Sequence, residues 1–83
     1  MLKVMLVDDE PLLRMGLKQA FDWDSVGCVV VAEAENGAEA LEKYNDAKPD
    51  IIITDIRMSA KDGLQLIAAL REGKSDAEII VLS

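Results

Sequence analysis

The chain has 83 residues and carries 9 Lys+Arg against 16 Asp+Glu, a formal net charge of −7. That length holds one domain at most, and the acidic balance argues against direct nucleic-acid binding, which draws mainly on basic side chains at phosphates. Histidine is absent and cysteine occurs once, which removes Ser-His-Asp and Cys-His catalysis, the usual zinc sites and any internal disulfide.

The hydrophobic content of 51% is that of a globular core. The longest uncharged apolar run, Val26 to Ala32, is far short of the roughly 20 residues a membrane span needs. Asp8, Asp9 and Glu10 interrupt the N-terminus where a signal peptide would be apolar. With Cys28 alone, a reducing, cytoplasmic setting is expected.

Two periods alternate along the chain. Leu2 to Val7 reads as a buried strand. Pro11 suits a first helical turn, and Leu13, Leu17, Ala20 and Phe21 then share one helix face, with Arg14 and Lys18 off it. Asp22 to Gly27 is a turn, in which Trp23 reads as a packing residue at the helix end. Cys28 to Ala32 is β-branched and continuous, a second strand with Cys28 as a small core residue. Asn36-Gly37 opens a second helix, whose Gly37, Ala40, Leu41 and Tyr44 share a face, and Lys48-Pro49 closes the connection. Ile51 to Thr54 is a third strand. Asp62 can cap a third helix with Gly63, Leu66, Ile67 and Leu70 on one face, ended by Gly73. Glu78 to Leu82 is a fourth strand. Apolar strands separated by amphipathic helices predict an α/β fold with a parallel sheet covered on both faces.

In such sheets ligands bind beyond the carboxyl ends of the strands, where strand order reverses. Asp8, Asp9 and Glu10 follow the first strand, Asp55 the third and Ser83 the fourth, while Glu33 and Glu35 after the second lie aside if that strand is at an edge. If the first and third strands are neighbours, Asp8, Asp9 and Asp55 converge. Three ionised carboxylates share a crevice at high cost, so either one protonates or a hard cation sits among them, and oxygen ligands suit Mg²⁺. The plainer alternative, caps and solvated turn residues, fits a lone aspartate better than this adjacent pair with a third acid.

The chain resembles the receiver domain of bacterial two-component response regulators. The matching pieces are Val4-Met5-Leu6-Val7-Asp8-Asp9-Glu10-Pro11, Ala34-Glu35-Asn36-Gly37-Ala38-Glu39-Ala40-Leu41, Pro49-Asp50-Ile51-Ile52-Ile53-Thr54-Asp55-Ile56-Arg57-Met58, Asp62-Gly63-Leu64 and Ile79-Ile80-Val81-Leu82-Ser83. The resemblance implies a flavodoxin-like doubly wound sheet of order 2-1-3-4. It implies Asp55 as phosphoacceptor, Asp9 as a direct Mg²⁺ ligand, Asp8 as its neighbour acting through water, the Arg57 backbone carbonyl completing the metal site, and Ser83 as the switch hydroxyl. It also implies a sensor histidine kinase as partner and an output domain outside this chain. The Phe21 to Gly27 stretch is similar to regulators fused to an AraC-type helix-turn-helix domain, which points to a DNA-binding, transcriptional output.

Three departures from the family pattern stand out. Ser59 occupies a position that is usually proline, and Lys61 one that is commonly methionine. The family's fifth strand, with its lysine and aromatic switch residue, and its last two helices have no counterpart in residues 1–83, so a C-terminally incomplete receiver is expected. Its fourth strand would then leave Ile79 to Leu82 as an apolar edge open to association with another chain. Two other readings compete: a pseudo-receiver that binds partners without phosphorylation, and a phosphatase of the haloacid-dehalogenase type. The latter needs an Asp-x-Asp nucleophile after the first strand, where this chain has Asp8-Asp9-Glu10; Asp55 favours a non-enzymatic receiver. Gly73-Lys74-Ser75 is not a P-loop, because Ala68 replaces the first glycine and a helix, not a strand, precedes it.

Overall fold

A computed structural model describes residues 1–55, 60–73 and 77–82, with the backbone alone for 55, 60–65 and 82. Its elements run β1 (Leu2–Val7), α1 (Pro11–Ala20), a 3-10 turn (Trp23–Val26), β2 (Cys28–Ala34), α2 (Gly37–Ala47), β3 (Ile51–Asp55), α3 (Ala60–Glu72) and β4 (Glu78–Leu82). The four strands form one sheet in the order β2-β1-β3-β4, and all three pairings are parallel. This is the expected doubly wound order.

Alternation along β1 sends side chains to the two faces. Met5 and Val7 join Ala34, Ala40, Ile52, Leu66, Leu70 and Ala77 in one buried cluster, under α2 and α3. Val4, Leu6 and Cys28 form the other, with Leu17 of α1, Trp23, Val30, Ile51 and Ile53 packed against it. The same alternation fails in β2, where the register with β1 shifts between Val4 and Met5. Val30 pairs with Val4, and Ala32, not Val31, pairs with Met5. Val31 is the extra residue of a bulge and is exposed. The bulge explains how Cys28 and Val30 face one cluster while Ala32 and Ala34 face the other. It also lets β2 run to Ala34, two residues beyond its expected end, so Glu33 lies inside the strand and not after it.

The ends of the elements follow local chemistry. The turn after α1 tightens into a 3-10 helix closed by Gly27 at φ 75, a left-handed conformation that glycine enters without a Cβ clash. Asn36 caps α2, its side chain accepting from the Glu39 N–H. Lys48 ends that helix at φ 46, with its N–H donating to the Tyr44 carbonyl. α3 begins at Ala60, so Asp62 lies in the first turn and is not the N-cap. At the amino end of the sheet Asp50 joins three strands: Lys3 N–H donates to its Oδ2, its N–H donates to Lys3 O, and Glu78 N–H donates to its carbonyl.

The two faces are unequally covered. α1 contains no buried residue, and Leu13 and Phe21 of its expected inner face are exposed; Leu17 is the half-buried exception. On the β4 edge Ile79 packs against the α2–α3 cluster, whereas Ile80 and Val81 are 46% and 43% exposed. No helix among the described residues is long and apolar enough to cross a membrane.

Candidate functional site

From β1 the chain goes to β2 through α1 and then to β3 on its other side through α2, so the strand order reverses between β1 and β3. A crevice beyond the carboxyl ends of those two strands is where this architecture receives ligands. Val7 pairs with Thr54 as the last partners of β1 and β3, so Asp8 and Asp55 stand one step further on, at adjacent strand ends. Asp55 in turn pairs with Leu82 of β4. The backbone therefore brings Asp8, Asp9 and Asp55 to one end of the sheet. The side chain of Asp55, and the whole of Arg57 and Ser83, lie outside the described residues.

The two adjacent acids differ sharply in setting. Asp8 is 5% exposed and Asp9 is exposed. A buried carboxylate needs partners, and Asp8 is held at its N–H, its carbonyl and one carboxylate oxygen. Its N–H donates to the Ala34 carbonyl at 3.0 Å. Its Oδ1 accepts from the Glu10 N–H at 2.8 Å. Its carbonyl accepts from the Arg14 guanidinium through Nη1. Asp8 is thus a fixed point, and Asp9 is the acid presented to solvent.

Beside this turn lies a cationic cluster around Glu33. Lys18 Nζ is 3.0 Å from Glu33 Oε2, Arg14 Nε is 3.6 Å from Oε1, and Lys43 Nζ donates to the Glu33 carbonyl at 2.5 Å. Helical spacing places Arg14 and Lys18 off the apolar face, and nothing in the spacing shows that they turn back to the end of β2.

The donor set at the crevice is all oxygen. Cys28, the one sulfur nucleophile, pairs with Leu2 at the opposite end of the sheet, and there is no histidine. Hard carboxylate oxygens fit a hard cation such as Mg²⁺. Among the described residues no group of three or more His, Cys, Asp or Glu could hold a metal ion; the third acid of the expected set is Asp55.

A sequence profile of the response regulator receiver domain matches residues 4–83. The chain is 43% identical over 83 residues to the chemotaxis protein CheY of Listeria monocytogenes, covering all of this chain and 68% of that protein. It is 39% identical to the transcriptional regulatory protein YesN of Bacillus subtilis, covering 100% of this chain and 23% of that one. With the nitrate/nitrite response regulator NarP of Escherichia coli it shares 42% over 81 residues, 98% of this chain and 37% of that one. Among solved structures, the receiver domain of AraT from Geobacillus stearothermophilus superposes with a TM-score of 0.85 at 39% identity, over 96% of this chain and 62% of that one. The signal receiver domain of NarL from Mycobacterium tuberculosis gives 0.82 at 36%, over 96% and 64%. The chain thus spans well under half the length of YesN and NarP. Profile, sequence relatives and fold agree: this chain belongs to the response regulator receiver domain family.

Proposed function

We propose that this chain is the phosphoacceptor module of a two-component regulator, taking a phosphoryl group on Asp55 from a sensor histidine kinase. The observation that carries the reading is the adjacency of β1 and β3, which sets Asp8, Asp9 and Asp55 at neighbouring strand ends. In the transfer, an Asp55 carboxylate oxygen forms the new P–O bond as the P–N bond to the donor imidazole breaks, and the imidazole leaves neutral after taking a proton. Asp9, exposed, and Asp8, buried and fixed, are the side chains that would hold Mg²⁺, together with Asp55 and the Arg57 carbonyl. When bound, Mg²⁺ offsets the repulsion between a carboxylate and an anionic phosphoryl group. The Ser83 hydroxyl, following the strand paired with β3, would meet the phosphoryl oxygens and report their arrival. One phosphoryl group per chain is a signal and not a turnover, so the module is not assigned an enzymatic role. The relatives named as transcriptional and response regulators support an output outside residues 1–83.

The test uses the complete protein with a small acyl phosphate and Mg²⁺. Labelling of the unaltered protein and its loss in Asp55→Asn are expected. Equal labelling of both would overturn Asp55 as acceptor, and no labelling of either would favour the pseudo-receiver.

A further inference from the structure

We infer that Arg14 is a positioning residue for the acidic crevice: it fixes the Asp8–Asp9 peptide, and so the direction in which Asp9 is presented to Mg²⁺. The inference rests on the metal reading above and concerns a side chain that the reading does not use.

Arg14 is unusual in its own helix. α1 has no buried residue, yet the Arg14 side chain is 16% exposed. Its Nη1 donates to the Asp8 carbonyl, while its buried Nε has no hydrogen-bond partner among the described residues and lies 3.6 Å from Glu33 Oε1. A guanidinium in that position has given up water for one carbonyl and one flanking carboxylate. The carbonyl belongs to the peptide joining the two acids. With the Asp8 N–H on Ala34 and Asp8 Oδ1 on Glu10 holding the residue on either side, the Arg14 contact ties the carbonyl of that peptide to α1. Groups of this kind behind metal-binding side chains set the geometry of the ligands in front of them. Glu33 has a second part in this, since it neutralises a cation that would otherwise oppose a divalent ion nearby.

Charge alone and positioning predict opposite signs. Removing a cation beside an acidic site strengthens Mg²⁺ binding if only Coulomb attraction matters. Removing the clamp weakens it. Lys18 supplies the control, because it pairs with the same Glu33 through its ammonium, whereas the hydrogen bond to the Asp8 carbonyl comes from Arg14.

Mg²⁺ titrations of the complete protein by calorimetry should show Arg14→Met, which keeps the aliphatic stem, binding about tenfold more weakly, the lower end of the range for losses behind metal ligands. Arg14→Lys, which keeps the charge but loses the planar fork, should fall between. Lys18→Met should bind as tightly as the unaltered protein or tighter. If Arg14→Met binds Mg²⁺ undiminished while Asp9→Ala does not, the inference fails and the metal reading stands. If Asp9→Ala also binds undiminished, the metal reading fails and the inference with it. A measurement that needs no variant guards against misfolding: the Arg14 Nε resonance of the unaltered protein should move on adding Mg²⁺. A resonance that stays still would also overturn the inference.

Discussion

The two faces of the sheet are built from the same strands yet covered in different ways. On one, Met5, Val7 and Ile52 lie beneath α2 and α3, and Ala40, Leu66 and Leu70 are buried in return. On the other, Val4 and Leu6 are as deeply buried, but α1 contributes only the half-buried Leu17 and no buried residue. α1 is nevertheless the most strongly segregated of the three helices into apolar and polar sides. Within residues 1–83, then, periodicity gives α1 a face suited to burial that these residues alone leave largely uncovered. The weakly held helix is also the one whose start carries the crevice: Asp8, Asp9 and Glu10 lead into it, and Arg14 ties it back.

The largest test of this contrast is a pair of truncations. Leu66→Ala should destabilise this chain by about 2–5 kcal/mol, the usual range for a fully buried leucine, because Leu66 is 0% exposed. Leu17→Ala should cost less than half as much, since its side chain is already partly in water. Chemical denaturation measures both. Equal losses would show that α1 is held as firmly as α3 and would break the comparison.

A smaller effect of opposite sign is expected within the well-covered face. Thr54, between Val7 and Val81 in the sheet, is 1% exposed, and among the described residues its buried Oγ1 has no hydrogen-bond partner. A buried unpaired hydroxyl costs about 1–3 kcal/mol, and replacing it by an apolar group of the same shape removes that cost. Thr54→Val should therefore stabilise the chain by about 1 kcal/mol. A loss of stability would mean that the hydroxyl has a partner, such as an ordered water between β3 and α3.

Most of the architecture was legible because it rests on strong, local signals. The apolar runs at Leu2–Val7, Ile51–Thr54 and Glu78–Leu82, with amphipathic stretches between, define the strands, and acids at two strand ends define the crevice. The bulge at Val31 was not legible, because in a run of three valines no residue marks itself as the extra one. Nor was the inward turn of Arg14, since its partners, the Asp8 carbonyl and Glu33, are separated from it by 6 and 19 positions and share no periodicity with it. The start of α3 ahead of Asp62 shows that a residue suited to capping also serves in a first helical turn.

The smallest effect compares the two helix starts. At α1 the N-cap is Glu10, whose side chain makes no capping bond, and its N–H is taken by the Asp8 carboxylate. At α2 the residues serve the helix itself. Asn36 Oδ1 accepts from Glu39 N–H at 2.8 Å, and the Glu39 carboxylate is 2.8 Å from Lys43 Nζ one turn on. The Lys43 hydrogen bond, helped by a backbone bond from Glu35 and opposed by burial, holds the Glu39 carboxyl below the usual glutamate range. A carboxyl lowered in the folded state stabilises the fold above its unfolded pKa, and that contribution is lost as pH falls through the folded value. The loss therefore belongs to the acid limb, below the ordinary glutamate range, and leaves neutral pH untouched. An NMR titration should show Glu39 protonating at lower pH than an exposed glutamate, and Lys43→Met should move it upward. Glu39→Gln should flatten the acid limb of stability slightly, the pair being solvent-screened. A Glu39 midpoint unmoved by Lys43→Met would show that the ion pair does not organise the start of α2, leaving Asn36 as its anchor.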